Sequence, residues 1–450
     1  METGGNAVLS GRLWDSLLRL AGPMFVSMVL QNAQSLIDLF WVGRLGSDAV
    51  AALAISGTLL MMLFPAVMGL STGTVAIVAR AIGGGRDEEA SSIAGQSLGF
   101  AVGCGVFLGA AGWLWAGPLC RMLGAVYPVA DLGAQYLGIS FVGSFTMFVL
   151  FIGNSILQAA GNTMIPMYAM LLANLLNLVL DPVLIFGWAG VPALGVAGAA
   201  WATVISQGVA AAWVFYVLHT GVSGVRVGLK HWRPNPSLWW RLLRVGLPSS
   251  GQMLTRSLMN LVLMRVVAHF GMVAVAAYGI GMRFHMIVLM PAFVLGNAAA
   301  VLVGQNLGAG KPDRAVGAAW LAVAIDVVLM IGSALILVLF ARPLVAMFDK
   351  HPDVVRTGVA YLRIVSPFHL FAAFSIVLGR ALQGAGETVS PMVMTIIGLW
   401  LFQVPLAMIL PRFFAVQSNG VWWAISVALA VHGLMVTAWF SRGAWKTQRV

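Results

Sequence analysis

The sequence predicts an all-α polytopic membrane protein, with 12 transmembrane helices in two six-helix lobes related by a pseudo-two-fold axis along the membrane normal. Three observations carry that prediction. Of 450 residues, 60% are hydrophobic and only 9% are charged, a balance outside the soluble globular class. Apolar stretches separated by turn signals recur along the whole chain, each long enough to cross a bilayer as a helix. Finally, the two halves repeat in one register, with Pro23 and Pro248 standing 225 positions apart.

In the first half the apolar stretches lie near 15–42, 49–79, 91–116, 128–159, 164–187 and 192–219. Those of the second half lie near 240–269, 274–307, 316–340, 353–384, 389–411 and 418–441. Glycine-rich turns punctuate them, among them Gly83-Gly84-Gly85-Arg86-Asp87, Gly161-Asn162-Thr163 and Gly308-Ala309-Gly310-Lys311-Pro312. The same offset relates Gly46 to Gly271, Gly83 to Gly308, Leu157-Gln158 to Leu382-Gln383, and Thr163 to Thr388. An even number of crossings per half gives both halves one orientation, hence an axis along the membrane normal. The domains follow as an N-terminal lobe 1–220, a cytoplasmic linker 221–244 and a C-terminal lobe 245–450.

Basic residues set the orientation. The side that holds both termini collects fifteen of the 25 Lys and Arg residues, including Arg80, Arg86, Arg226, Lys230, Arg233 and Arg449. The opposite loops hold seven, so both termini are expected in the cytoplasm and the chain in the bacterial inner membrane. The net charge of +11 is scattered over short loops rather than gathered on one basic helix, which excludes a nucleic-acid footprint. Two cysteines, Cys104 and Cys120, offer neither a disulfide framework nor a zinc site. Trp239-Trp240, Trp422-Trp423 and Trp445 suit interface belts.

Polar residues inside the apolar stretches mark the candidate site. Asn174, Asn177 and Asp181 are spaced three and four apart, so they share one helical face. Ser27, Gln31, Gln34 and Asp38 repeat the pattern in the first stretch. A carboxylate at the centre of a membrane helix opposes insertion by roughly 2.5–3.5 kcal/mol, so it usually serves a pathway or a relay. The plain alternative is a buried Asp that helps helices pack. The repeat argues against that, because Asp38 maps onto Leu263 and Asp181 onto Leu406. Acids needed to assemble one lobe would be needed in the other as well. Both aspartates lie roughly 6–9 Å from the outer ends of their helices, at a common depth. Two carboxylates in a low-dielectric cleft cannot both ionise cheaply, so the pair suits proton binding. Neighbouring amide and hydroxyl oxygens suit Na⁺ equally. Pro23 permits a kink in the first helix.

Other polar positions are weaker. Gln252, Arg256 and Asn260 share a face and line a cavity or pack a helix pair. Asp326 lies mid-segment and either forms a structural ion pair with Arg256 or Arg283 or serves transport, while the roles of Arg265 and Arg283 are not assigned. His285, His369 and His432 read as satisfied core histidines. Gly69-Leu70-Ser71-Thr72-Gly73 matches G-x-S-x-G, which raises an intramembrane serine protease with His285 or His369 as base. That motif needs a strand-to-helix elbow, and small residues in a membrane helix generate it by packing alone. The chain is therefore read as no enzyme.

Taken together, Asp38-Leu-Phe-Trp-Val-Gly-Arg-Leu-Gly46, the Gly161-Asn-Thr and Gly386-Glu-Thr turns, Asn177 with Asp181-Pro182, and Gly304-Gln-Asn-Leu-Gly-Ala-Gly-Lys311 carry a resemblance. In their order and repetition they resemble the multidrug and toxic compound extrusion (MATE) transporters over nearly the whole chain. The resemblance implies an antiporter exporting organic cations or amphipathic drugs against inward H⁺ or Na⁺, by alternating access between two lobes, acting as a monomer with no cofactor. It adds Thr203 to the ion-coupling site of Asp38, Asn177 and Asp181, puts Asn154 with Gln31, Gln34, Gln252 and Arg256 in the substrate cavity, makes Pro23 the hinge of a bending first helix, and allows Na⁺ at Asp38, Asn177, Asp181 and Thr203. Where the NorM branch carries a seventh-helix glutamate this chain has Arg256, so the DinF-like branch fits better. A lipid or lipid-linked oligosaccharide flippase of the same superfamily is the nearer alternative.

Overall fold

A computed structural model describes residues 11–448. Arg449, one of the basic residues used for orientation, lies outside the described residues, as do positions 1–10 of the N-terminal lobe. Among the described residues every regular element is helical. The long helices are α1 (Leu13–Leu45), α2 (Ser47–Gly83), α3 (Asp87–Met122), α4 (Val129–Val142 and Ser144–Ala159), α5 (Met164–Phe186) and α6 (Val196–Thr220). They continue with α7 (Pro236–Ala268), α8 (Met272–Gly308), α9 (Pro312–Leu339), α10 (Pro352–Gly384), α11 (Val389–Phe413) and α12 (Gln417–Arg442). Ten are long and apolar enough to cross a membrane, and the bent α4 makes 11. The twelfth, α7, runs for 33 residues but carries Arg241, Arg244, Arg256 and Arg265, so its length rather than its composition qualifies it. The protein is an integral membrane protein.

Two compact units emerge. One is built from Leu18–Leu247; the other is Pro248–Val450 together with Arg12–Leu17. Within the first, Pro23 interrupts α1 and cannot donate to the carbonyl of Arg19. That carbonyl is taken instead by the Thr163 hydroxyl, which donates to it at 3.1 Å from the turn before α5. The connector between α6 and α7 is not a free tether. Gln96 of α3 donates to the carbonyls of His231 and Arg233, both at 2.7 Å, and accepts from the Asn235 N–H at 3.0 Å. Lys230 pairs with Glu88 at 2.6 Å beside that clamp.

Close glycine contacts bring α6 against its neighbours. A Cβ on Gly198 would sit 2.4 Å from the Leu184 carbonyl oxygen of α5. One on Gly143, at the 46° bend of α4, would strike Val204 of α6 at 2.1 Å. The α5–α6 loop is pinned by the N–H groups of Leu194 and Gly195, which donate to the carbonyls of Leu184 and Ile185 at 2.9 and 3.1 Å.

The second unit packs around an aromatic core. Trp422 stacks on Tyr278 with ring centroids 5.9 Å apart, and Tyr361 meets it edge-on at 4.9 Å. This corrects the interface-belt reading for two tryptophans: Trp422 and Trp445 are fully buried, whereas Trp240 is largely exposed. The opposite faces of one helix are not distinguished by residue type, and an indole fills a helix-packing gap as well as an interface. Two helices of this unit widen locally to five-residue hydrogen bonding, α10 at Phe374–Leu378 and α11 at Ile397–Gln403. Their repeat counterparts in α4 and α5 stay α-helical.

Candidate functional site

The two stripes read from sequence meet, through α6, in one chain of side chains. Asp181 and Asn177 are fully buried and Asp38 is 8% exposed. Asn177 Nδ2 donates toward Asp181 Oδ1 at 3.4 Å and toward Thr203 Oγ1 at 3.4 Å. Thr203 Oγ1 faces both oxygens of Asp38, at 3.5 and 3.4 Å. Its single proton serves one of them at a time. The close approach of α6 at Gly198 sets this geometry, since Thr203 lies little more than one turn along the same helix.

All four distances are at the long edge of hydrogen bonding. The network is therefore loosely held rather than locked. Two acceptors, Asp181 Oδ2 and Asn177 Oδ1, are buried without a hydrogen-bond partner among the described residues. The carboxyl groups of Asp38 and Asp181 are also close enough to hydrogen-bond once a proton sits between them. A buried acceptor without a donor is costly, and a proton on either acid or a cation against these oxygens removes that cost. The oxygen set of Asp38, Asn177, Asp181 and Thr203 suits a hard cation by its chemistry.

Rings pack one turn beyond Asp38. Trp41, one turn beyond Asp38, meets Phe186 and Trp188 edge-on at 6.2 and 6.1 Å, and Arg44 lies over its face at 4.7 Å. Tyr136 of α4 was not singled out from sequence. It packs with Val42, Ile185 and Ala199, between the helices that carry the acids, and its phenol lies within electrostatic reach of both. A lone tyrosine in an apolar helix carries no spacing signal that would have marked it.

The remaining candidates are placed as follows. Gln34 is buried one turn before Asp38, with its Nε2 lacking a partner, and Gln31 is half-buried on the same face. Asn154 is buried in α4 with Oδ1 unpartnered. In the second unit Gln252 donates to Thr395 Oγ1 at 2.8 Å. Arg256 follows one turn later, half-buried. Asp326 overturns the ion-pair expectation: it is fully buried and neither carboxyl oxygen has a partner. Arg283 instead lies over the Phe348 ring at 5.5 Å. Which residues face Asp326 across the helix packing is something sequence spacing cannot show. Ser71 sits within a continuous helix and its hydroxyl pairs with Ser155 at 2.5 Å, so it has neither the elbow nor the base a serine hydrolase needs.

The MatE family pattern matches residues 23–183 and again 248–409. The chain belongs to the MatE family. Both matches open on the proline of the repeat, and together they span both units. A "Probable multidrug resistance protein YoeA" of Bacillus subtilis is 29% identical over 97% of this chain and 95% of its own length. A "Probable multidrug resistance protein NorM" of Thermotoga maritima is 28% identical over 96% of this chain and 93% of its own. An "FAD transporter" of Shewanella oneidensis is 29% identical over 89% of each chain. Among solved structures, a MATE protein in the bent conformation superposes with a TM-score of 0.91 at 27% identity, covering 98% of both chains. A transporter of the MOP superfamily from Pyrococcus furiosus, described by the reverse polarity of its binding pocket, gives 0.89 at 26% identity, covering 100% of this chain and 99% of its own.

Proposed function

We propose that this MatE protein is a secondary antiporter that exports organic cations and amphipathic drugs in exchange for inward protons. The observation that carries the reading is the chain Asp38–Thr203–Asn177–Asp181, with Asp181 Oδ2 and Asn177 Oδ1 left without donors. A proton satisfies such a cluster by converting one acceptor into a donor. Leaving the site, it restores charge repulsion between the acids and loosens the packing of α1, α5 and α6. That differential is what an ion needs to shift a two-state equilibrium. Export of drugs follows the names of the relatives, and alternating access with both termini cytoplasmic follows the repeat and the basic loops. The lobes are 1–220 and 245–450, joined by 221–244, and the chain works as a monomer.

Protons are favoured over Na⁺ because the contacts among the four residues are long and Arg256 stands where the NorM branch carries its additional C-lobe carboxylate. The test uses substrate efflux from proteoliposomes, first under an imposed pH gradient without Na⁺, then under a Na⁺ gradient at equal pH. Efflux under the first condition supports protons. Efflux only with inward Na⁺ overturns the choice of ion and keeps the site. A second reading, export of a flavin nucleotide, is favoured by the FAD transporter among the relatives.

A further inference from the structure

The C-terminal unit gathers a polar side-chain cluster that is basic where the Asp38–Asp181 site is acidic. Five helices supply it. Gln252 and Arg256 come from α7, His285 from α8, Arg380 and Gln383 from α10, Thr395 from α11 and His432 from α12. Gln383 Nε2 donates to Gln252 Oε1 at 2.7 Å, and Arg380 donates to Gln383 Oε1 at 3.2 Å. Thr395 meets His432 Nε2 at 3.3 Å. The Arg256 guanidinium is close enough to His285, His432 and Arg380 for its charge to act on each.

Among the described residues Arg256 has neither an ion pair nor a hydrogen bond. A guanidinium half-buried without a counter-charge keeps its N–H donors open to one from outside the protein. The histidine next door is likewise incomplete. His285 and His369 pair at 2.8 Å, yet His369 Nδ1, on a side chain 1% exposed, has no partner. The backbone of α10 and α11 widens at the very turns next to these groups, Phe374–Leu378 and Ile397–Gln403, a distortion that frequently marks functional sites. Gly296 lets the Arg380 stem lie against α8, where a Cβ would be 3.0 Å from its Cγ. The repeat sharpens the contrast. At the offset of 225 positions, Arg256 stands over Gln31, Arg380 over Ser155 and His432 over Gln207. The paired acids stand in one lobe and these bases in the other.

We propose that this cluster is an oxyanion site, which takes the carboxylate or phosphate group of an amphipathic solute with Arg256 as its forked donor. Guanidinium matches both groups by two parallel N–H donors, and the hydrogen-bonded Gln252, Gln383 and Thr395 lie on the same and neighbouring helices. The inference rests on the transporter reading, and it widens the substrate class from organic cations to amphoteric and anionic compounds.

The experiment measures binding to the purified full-length protein in neutral detergent by fluorescence polarisation. The probes are rhodamine 110, a free carboxylic acid, and rhodamine 123, its methyl ester. The wild type is expected to prefer the acid over the ester by roughly tenfold or more, the worth of a hydrogen bond to a charged group. Arg256→Gln brings that ratio close to one, and Arg256→Lys keeps part of it because the charge remains without the fork. An unchanged ratio in Arg256→Gln overturns the site, as does a wild type without preference. Displacement of rhodamine 110 by inorganic phosphate supports a free oxyanion. Displacement by phosphatidylglycerol alone supports the site with a lipid headgroup as its ligand. Efflux of rhodamine 123 from proteoliposomes tests export separately, so absence of efflux with the acid preference intact removes the transport reading and leaves the site.

Discussion

The Thr163 hydroxyl donates at 3.1 Å to the carbonyl of Arg19, the group that Pro23 deprives of its helical donor. The proline and the threonine are therefore two halves of one device. The proline opens a gap in the backbone ladder of α1, and the turn before α5 fills it. Movement of α1 relative to α5 must break or reform this bond.

Thr163→Val removes the donor while keeping the shape. Losing this hydrogen bond costs about 0.5–1.5 kcal/mol, so the variant should unfold at lower temperature. Thr163→Ser should restore wild-type stability. Equal melting of wild type and Thr163→Val in the same detergent would remove the device.

Pro23→Ala returns an N–H to α1, which then competes with Thr163 for the Arg19 carbonyl. A continuous ladder stiffens the helix. Turnover in proteoliposomes should fall several-fold while equilibrium binding of substrate changes little. Wild-type turnover in this variant argues against a hinge.

Asp38→Asn and Asp181→Asn each remove an ionisable group from the four-residue chain. Either should abolish gradient-driven efflux and leave the protein folded in the membrane, since Asn keeps the shape and an acceptor oxygen. Full resistance to ethidium in cells expressing Asp38→Asn would falsify the assignment.

Thr203→Val separates bridging from ionisation. It leaves both acids but cuts the link between Asp38 and Asn177. Efflux should drop by roughly tenfold, about the worth of one hydrogen bond to a charged group. Thr203→Ser, with the hydroxyl retained, should stay near wild type. If the Val variant transports normally, the bridge is incidental.

Trp422→Ala opens a cavity between Tyr278 and Tyr361 and should destabilise the protein by about 3–5 kcal/mol, whereas Trp240→Ala, on an exposed face, should stay within about 0.5 kcal/mol. Thermal unfolding of the two variants side by side checks the difference. Similar losses would return Trp422 to the interface.

Helix periodicity and the internal repeat made much of this protein legible before any coordinates. Apolar runs of membrane-crossing length declare helices because lipid offers the backbone no other partner. Spacings of three and four put Asp38 with Gln34, and Asp181 with Asn177, each on one face, because the helix repeats every 3.6 residues. The repeat exposed the acids as belonging to one lobe alone. What periodicity cannot do is say which face meets which. Thr203 reaches Asp38 across 165 positions of sequence, and Asn177 reaches Thr203 where Gly198 lets α6 close on the Leu184 carbonyl of α5. The same blindness hid Tyr136, sent Trp422 to the wrong surface and gave Asp326 a partner it does not have. Nor could spacing show Arg256 drawn among His285, His432 and Arg380, because those residues come from different helices. Faces are written locally in the chain; partners are chosen by how the helices pack.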